Sequence, residues 1–236
     1  MKDYAKIVPI YSVILLLMFI CCLLAGEVVH VISTNTPKKN RTCFIIDPGH
    51  GGIDGGTVSC TGTNESQINL EISRRLKDLL ELMGYKTIMT RETDKSIHTY
   101  GETIAAQKAS DLKERVRIVN ETENGILLSI HQNHYHNSIY WGSQMFYAPS
   151  EESRILATQL QQAFNCSINS GSNRKIKKAD GIYLMKHTKK TSVLIECGFL
   201  SNYNEAVKLE NRMYQQSICC VIGSVCSSYA KQQQIT

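Results

Sequence analysis

Three short apolar runs, 43–46 (CFII), 125–130 (GILLSI) and 192–195 (SVLI), each stop at a polar residue or turn: 47–50 (DPGH), His131 and Glu196. Apolar, β-prone stretches of this length bounded by turn residues read as buried strands. Two further runs, 86–91 and 142–147, read the same way. Between them apolar residues return every three or four positions, as in Ile68, Ile72, Leu76, Leu79, Leu80 and Met83, with Gly84 as a stop. That spacing predicts a helix. It recurs at Leu112, Val116 and Val119, at Ile155, Leu156, Leu160 and Ala163, and in a last helix over 211–229. Strands alternating with helices predict an α/β fold: a single three-layer domain whose mostly parallel, twisted sheet is flanked by helices. Open sheets of this kind bind ligands at the carboxyl ends of their strands, where His50, His131 and Glu196 fall.

Ahead of this pattern, residues 7–25 carry no charge and follow Lys2 and Lys6. A helix of that length reaches about 28 Å, enough to cross a bilayer. The basic flank orients the rest of the chain away from the cytoplasm. Residues 1–26 therefore read as a signal anchor, with a cleaved signal peptide as the alternative. Lipidation is not supported, because Cys21 and Cys22 precede Ala25-Gly26. Residues 27–42 read as a polar tether, and 43–236 as one folded domain. Of nine cysteines, seven fall after the apolar run, with no C-x-x-C pair, so they read as small buried hydrophobes. With 26 Lys and Arg against 21 Asp and Glu, the charge of +5 is too mild and dispersed to indicate a nucleic-acid partner.

The glycine-dense run 47–56 (DPGHGGIDGG) is no phosphate cradle: it lacks the terminal Gly-Lys-Ser/Thr, and Asp54 stands where a dinucleotide loop needs its third glycine. It does place His50 between flexible backbone positions, free to be aimed at a metal ion. A hydrolytic zinc site takes three ligands from His and carboxylate and leaves a fourth position for water. His50, Glu65 and His131 supply that set, although each alone has a plainer reading, as a hydrogen-bonded histidine or a first-turn acid favoured by the helix dipole. Glu196, carried out of an apolar strand, is either a general acid/base with a pKa raised by burial, or a capping or ion-paired acid beside Ser201-Asn202.

Four segments in order, 47–54 (DPGHGGID), 64–70 (NESQINL), 129–133 (SIHQN) and 193–202 (VLIECGFLSN), resemble the zinc-dependent N-acetylmuramoyl-L-alanine amidases of the amidase type 3 family. The resemblance runs from about residue 43 to 229 and includes 90–94 (TRETD) and 112–120 (LKERVRIVN). It implies one zinc ion held by His50, Glu65 and His131, with Glu196 as catalytic acid/base. Asp47, Asn133 and Arg115 match recurrent positions whose side chains orient the ligands, whereas His134 and His136 match no ligand position. Thr191-Ser192 depart from the proline many relatives carry before the last strand. The N-terminal apolar segment, the absence of wall-binding repeats and 180–187 (DGIYLMKH) are similar to the germination-specific branch. That branch implies a spore-cortex peptidoglycan substrate, a step towards muramic-δ-lactam, and the forespore intermembrane space of a spore-forming bacterium. Membrane tethering and an accessory extracytoplasmic protein are expected to aid substrate capture, since aromatics are few. A membrane-tethered, non-catalytic module binding peptidoglycan or protein is the alternative, disfavoured because it has no need of Glu196 beside the three ligands. A zinc DD-carboxypeptidase is a second enzymatic rival.

Overall fold

The computed structural model describes residues 16–17 and 42–233. Nearly all of the expected anchor and of the tether lies outside the described residues. Among those described, no helix is long and apolar enough to cross a membrane.

Six strands form one sheet: β1 (Cys43–Pro48), β2 (Lys86–Met89), β3 (Gly125–Asn133), β4 (Gln144–Tyr147), β5 (Lys177–Lys178) and β6 (Thr191–Phe199). Their order across the sheet is β2-β1-β3-β6-β4-β5. β1 runs parallel to β2 and β3, and β3 to β6; β4 is antiparallel to β6, and β5 is parallel to β4. Among described residues 42–233 the helices are α1 (Glu65–Leu82), α2 (Ile104–Glu121), α3 (Glu151–Cys166), α4 (Tyr183–His187), α5 (Tyr203–Glu210) and α6 (Arg212–Gln232).

Strand alternation sorts the core into two. Phe44, Ile46, Leu128, Ile130, Val193 and Ile195 face α1, α3 and α6, meeting Ile72, Leu76, Leu160, Phe164 and Ile222. Ile45, Leu127 and Leu194 face the other way, onto Val119 of α2 and Leu184 and Met185 of α4. The same alternation sends Asp47, Ser129, His131 and Glu196 to this second face, at its carboxyl end. Register brings them level: Asp47 opposes Ser129, and His131 opposes Glu196.

Several expected boundaries shift. α2 starts at Ile104, where Thr103 accepts a bond from the Ala106 amide as N-cap. β3 and β6 continue through His131 and Glu196, which are therefore strand residues and do not lie beyond the strand ends. Ile155 is 40% exposed; the buried stripe of α3 uses Leu156, Ala157, Leu160 and Phe164. Asn202 and Asn211 cap α5 and α6, so no capping duty falls to Glu196. Cys43, Cys197, Cys219 and Cys226 are buried as expected, but Cys60, Cys166 and Cys220 are exposed.

Candidate metal and catalytic site

The site is assembled on the loop after β1. Asp47, buried at the strand's end, accepts from Thr90 Oγ1 and Ser129 Oγ at 2.6 Å each and from Arg115 Nη1 at 2.5 Å. Burial works against its ionisation, but Arg115, Ser129 and Thr90 hold its carboxyl below the usual range. Arg115, itself bound to Asp111, spends its remaining donors on backbone: Nη1 reaches the Pro48 carbonyl at 2.9 Å and Nη2 the His50 carbonyl at 2.7 Å. Arg91 grips the same loop from the other side, donating to the carbonyls of Pro48, Gly49 and Ser66. Asn69 adds a bond to the Gly49 carbonyl. This double clamp holds His50 at φ +62°, a left-handed conformation that few non-glycine residues adopt.

So presented, the His50 ring turns Nε2 to within 3.3 Å of Glu65 Oε2 and Nδ1 to within 3.0 Å of Asp54 Oδ2. With a cation bound, the Asp54 carboxylate would keep the proton on Nδ1 and leave the Nε2 lone pair for the metal. Glu65, the first residue of α1, also accepts from the Thr57 and Gln132 amides and from Asn69. His131 Nδ1 lies 3.1 Å from Glu65 Oε1. One ligand atom from each of His50, Glu65 and His131 falls within 4.8 Å of the others. The backbone is cut to fit them. A Cβ on Gly49 would stand 2.2 Å from the His131 ring, and one on Gly56, at φ +68°, would stand 2.7 Å from Glu65 Oε2.

The electrostatics of this cluster call for positive charge. Burial opposes protonation of His50, yet Glu65 and Asp54 outweigh it and lift its pKa to about 9. Burial likewise opposes ionisation of Glu65, yet His131 and His50 hold its carboxyl far below the usual range. A divalent cation meets the same demand by displacing protons, and two imidazoles with a carboxylate are a donor set suited to zinc.

Glu196 sits across from His131 with the opposite tendency. Burial raises its pKa to about 7, Glu65 adding to the rise and the two histidines opposing it. Its Oε2 is buried and has no hydrogen-bond partner among the described residues. An unsatisfied carboxyl oxygen in a cleft is costly, and such groups concentrate at functional sites. The cleft holds about 310 Å³ and is walled by His50, His131, Glu196, Asp54, Lys108 and Ile182 among others.

A family profile described as N-acetylmuramoyl-L-alanine amidase matches residues 44–223. The chain belongs to the N-acetylmuramoyl-L-alanine amidase family. It is 37% identical over 188 residues to the germination-specific N-acetylmuramoyl-L-alanine amidase of Bacillus subtilis, covering 79% of this chain and 78% of that one. It is 30% identical over 196 residues to the amidase LytC of the same organism, 82% of this chain but 36% of that longer protein. Among solved structures it is similar to the CwlD amidase of Clostridioides difficile, in complex with the GerS lipoprotein, at a TM-score of 0.76 and 36% identity over 80% of this chain and 98% of that one. The activity is amidase action on peptidoglycan.

Within this amidase domain the four polar residues expected from the sequence converge; Arg115 holds the loop backbone and Asp47 anchors Arg115. Asn133 ends β3 with its carbonyl accepting from the Leu200 amide. Its side chain makes no bond to the three clustered residues. Asp54, Asn69 and Arg91 carry no signal in the sequence that points to these roles. Asp54 stands four residues after His50, and Arg91 lies in a segment already matched to the family, but only the folded loop shows what either grips.

Proposed function

We propose that this chain is a zinc-dependent amidase hydrolysing the amide between the lactyl group of muramic acid and L-alanine, with His50, Glu65 and His131 as zinc ligands and Glu196 as acid/base. The observation that carries this reading is the unpartnered Glu196 oxygen, level with His131 and beside the His-Glu-His cluster. Zinc bound there would polarise the scissile carbonyl and acidify a water. Glu196, poised near neutral pH, accepts the proton of the attacking water and delivers it to the departing alanine nitrogen. Asp54 keeps His50 in the tautomer that exposes Nε2, and the Arg91–Arg115 clamp keeps the ring in place.

The substrate in the cell is spore-cortex peptidoglycan, and the reaction is a step towards muramic-δ-lactam. This is supported by the similarity to a germination-specific relative. Residues 1–26 anchor the chain to the membrane or direct its export, 27–42 tether the domain, and catalysis takes place outside the cytoplasm in the forespore intermembrane space. A lipoprotein partner is supported by the solved complex of a similar amidase.

Digestion of purified cortex by the full chain tests the reaction. The expected products are free muramoyl carboxyl groups and new N-terminal alanine, lost on chelation and restored by zinc. Cleavage between stem-peptide residues would point instead to a DD-carboxypeptidase, and persistent binding without products to a non-catalytic module.

A further inference from the structure

The segment linking β3 to β4 leaves the site two residues after His131 and returns at Gly142, two residues before Gln144, the residue that pairs with Glu196. It carries three exposed aromatic side chains: Tyr135 is 46% exposed, and Tyr140 and Trp141 are 43% each. Trp141 is the only tryptophan of the chain. Tyr135 and Tyr140 meet edge to face with centroids 5.0 Å apart. Ile139, 69% exposed, extends the patch.

An exposed apolar loop is usually mobile, but this one is braced. The Tyr135 amide donates to Ser201 Oγ, and Asn202 Nδ2 donates to the Ser138 carbonyl at 2.8 Å. Arg174 Nε donates to the Trp141 carbonyl at 2.6 Å, and the Gly142 amide to Glu205 Oε2 at 2.9 Å. Arg174 in turn lies over the Phe199 ring, 4.4 Å from its centroid. Ser201, Asn202, Glu205 and Phe199 all follow Glu196 on β6 or the turn and helix after it. The aromatic surface is therefore rigidly indexed to the residue that faces the scissile bond.

We infer that Tyr135, Tyr140 and Trp141 form a glycan platform that docks the sugar chain flanking the muramic acid in the cleft; this rests on the amidase reading given above. The occupant follows from size, chemistry and position. Four apolar side chains are far short of the 20–30 residues a stable protein partner covers, but they match a disaccharide. A hexosamine presents an apolar C–H face bordered by hydroxyl and amide groups. Ring faces interspersed with the exposed polar residues His134, His136 and Asn137 complement that alternation. The patch sits on the segment that leaves β3 just after His131 and re-enters the sheet opposite Glu196, and a glycan strand runs on in both directions from the muramic acid whose lactyl group bears the cleaved amide.

Trp141 supplies the probe. Its fluorescence in the full chain, titrated with a peptide-free tetrasaccharide of alternating N-acetylglucosamine and N-acetylmuramic acid, should change saturably. Tyr140→Ala should weaken that binding about two- to tenfold. It should also lower kcat/KM on polymeric glycan relative to a muramoyl-L-alanine monosaccharide by a similar factor. Leu82→Ala, which removes a more exposed apolar side chain at the C-terminal end of α1, should leave both readings as they were. A flat fluorescence titration, or an unmoved polymer-to-monosaccharide ratio, overturns the platform. Failure to cleave the monosaccharide substrate while the tetrasaccharide still binds would fault the amidase reading and spare this one.

Discussion

The two faces of the sheet are built to different ends. On one, α1, α3 and α6 cover a cluster of 25 buried hydrophobic residues; on the other, α2 and the five-residue α4 cover eight. The thinly covered face is where the cleft opens and where Asp47, Ser129, His131 and Glu196 point. Because alternate residues of one strand face opposite ways, Ile130 and His131, or Ile195 and Glu196, serve the two faces as immediate neighbours. Stability and chemistry are thus separated by a single residue step, and substitutions on either side should separate them in measurement.

The largest expected effect is on the thin face. Glu196→Gln should lower kcat by about two to four orders of magnitude with zinc content unchanged, read from initial rates and metal analysis. Near-full turnover would remove Glu196 from the mechanism. On the thick face, Leu76→Ala should cost about 2–5 kcal/mol in denaturant unfolding while activity per folded molecule is preserved. The matching truncation across the sheet, Leu184→Ala, should cost less than about 2 kcal/mol, because the space it leaves opens to the cleft. Equal costs would break the contrast between the faces.

A subtler test uses pH. Glu196 has a folded pKa of about 7, above its ordinary 4.5, so the fold binds the protonated form better. Its contribution is whole below about pH 4.5 and is lost as pH rises through 7. In metal-free protein Glu196→Gln, which cannot ionise, should therefore match the wild type in stability near pH 4.5 and exceed it by about 1–3 kcal/mol at pH 8. Parallel stability curves would contradict this. Smallest of all, Asp54→Ala should weaken zinc binding about tenfold in a chelator competition, with little change in thermal stability, since its carboxylate orients the His50 ring and its other bonds, to Lys108 and the Gly56 amide, are solvent-exposed.

Much of the architecture was legible because it follows local rules. The runs at 43–46, 125–130 and 192–195 and the α1 stripe were readable from periodicity alone, as each is long enough to carry its own pattern. β5, two residues long, and α4, with five, hold no period to detect. The antiparallel direction of β4 depends on how the 134–142 segment returns, which composition does not encode. At the site, His50, Glu65, His131 and Glu196 were reachable through their joint resemblance to a family. Individually they were indistinguishable from ordinary polar residues, since what unites them is contact across 15 to 146 positions of chain. Asp54, Asn69 and Arg91 stayed hidden for the same reason: Arg91 acts on carbonyl groups, which leave no trace in side-chain identity.

The carbonyls of Pro48, Gly49 and His50 are all held by guanidinium or carboxamide groups arriving from beyond β2, from α1 and from α2. Such a segment has no way to open alone, for freeing it means undocking three separate elements at once. The Gly49 amide, bonded to the Ile130 carbonyl, should exchange with solvent only as slowly as the whole domain unravels, and a protease should find no nick there. The loop that presents His50 lasts as long as the domain does.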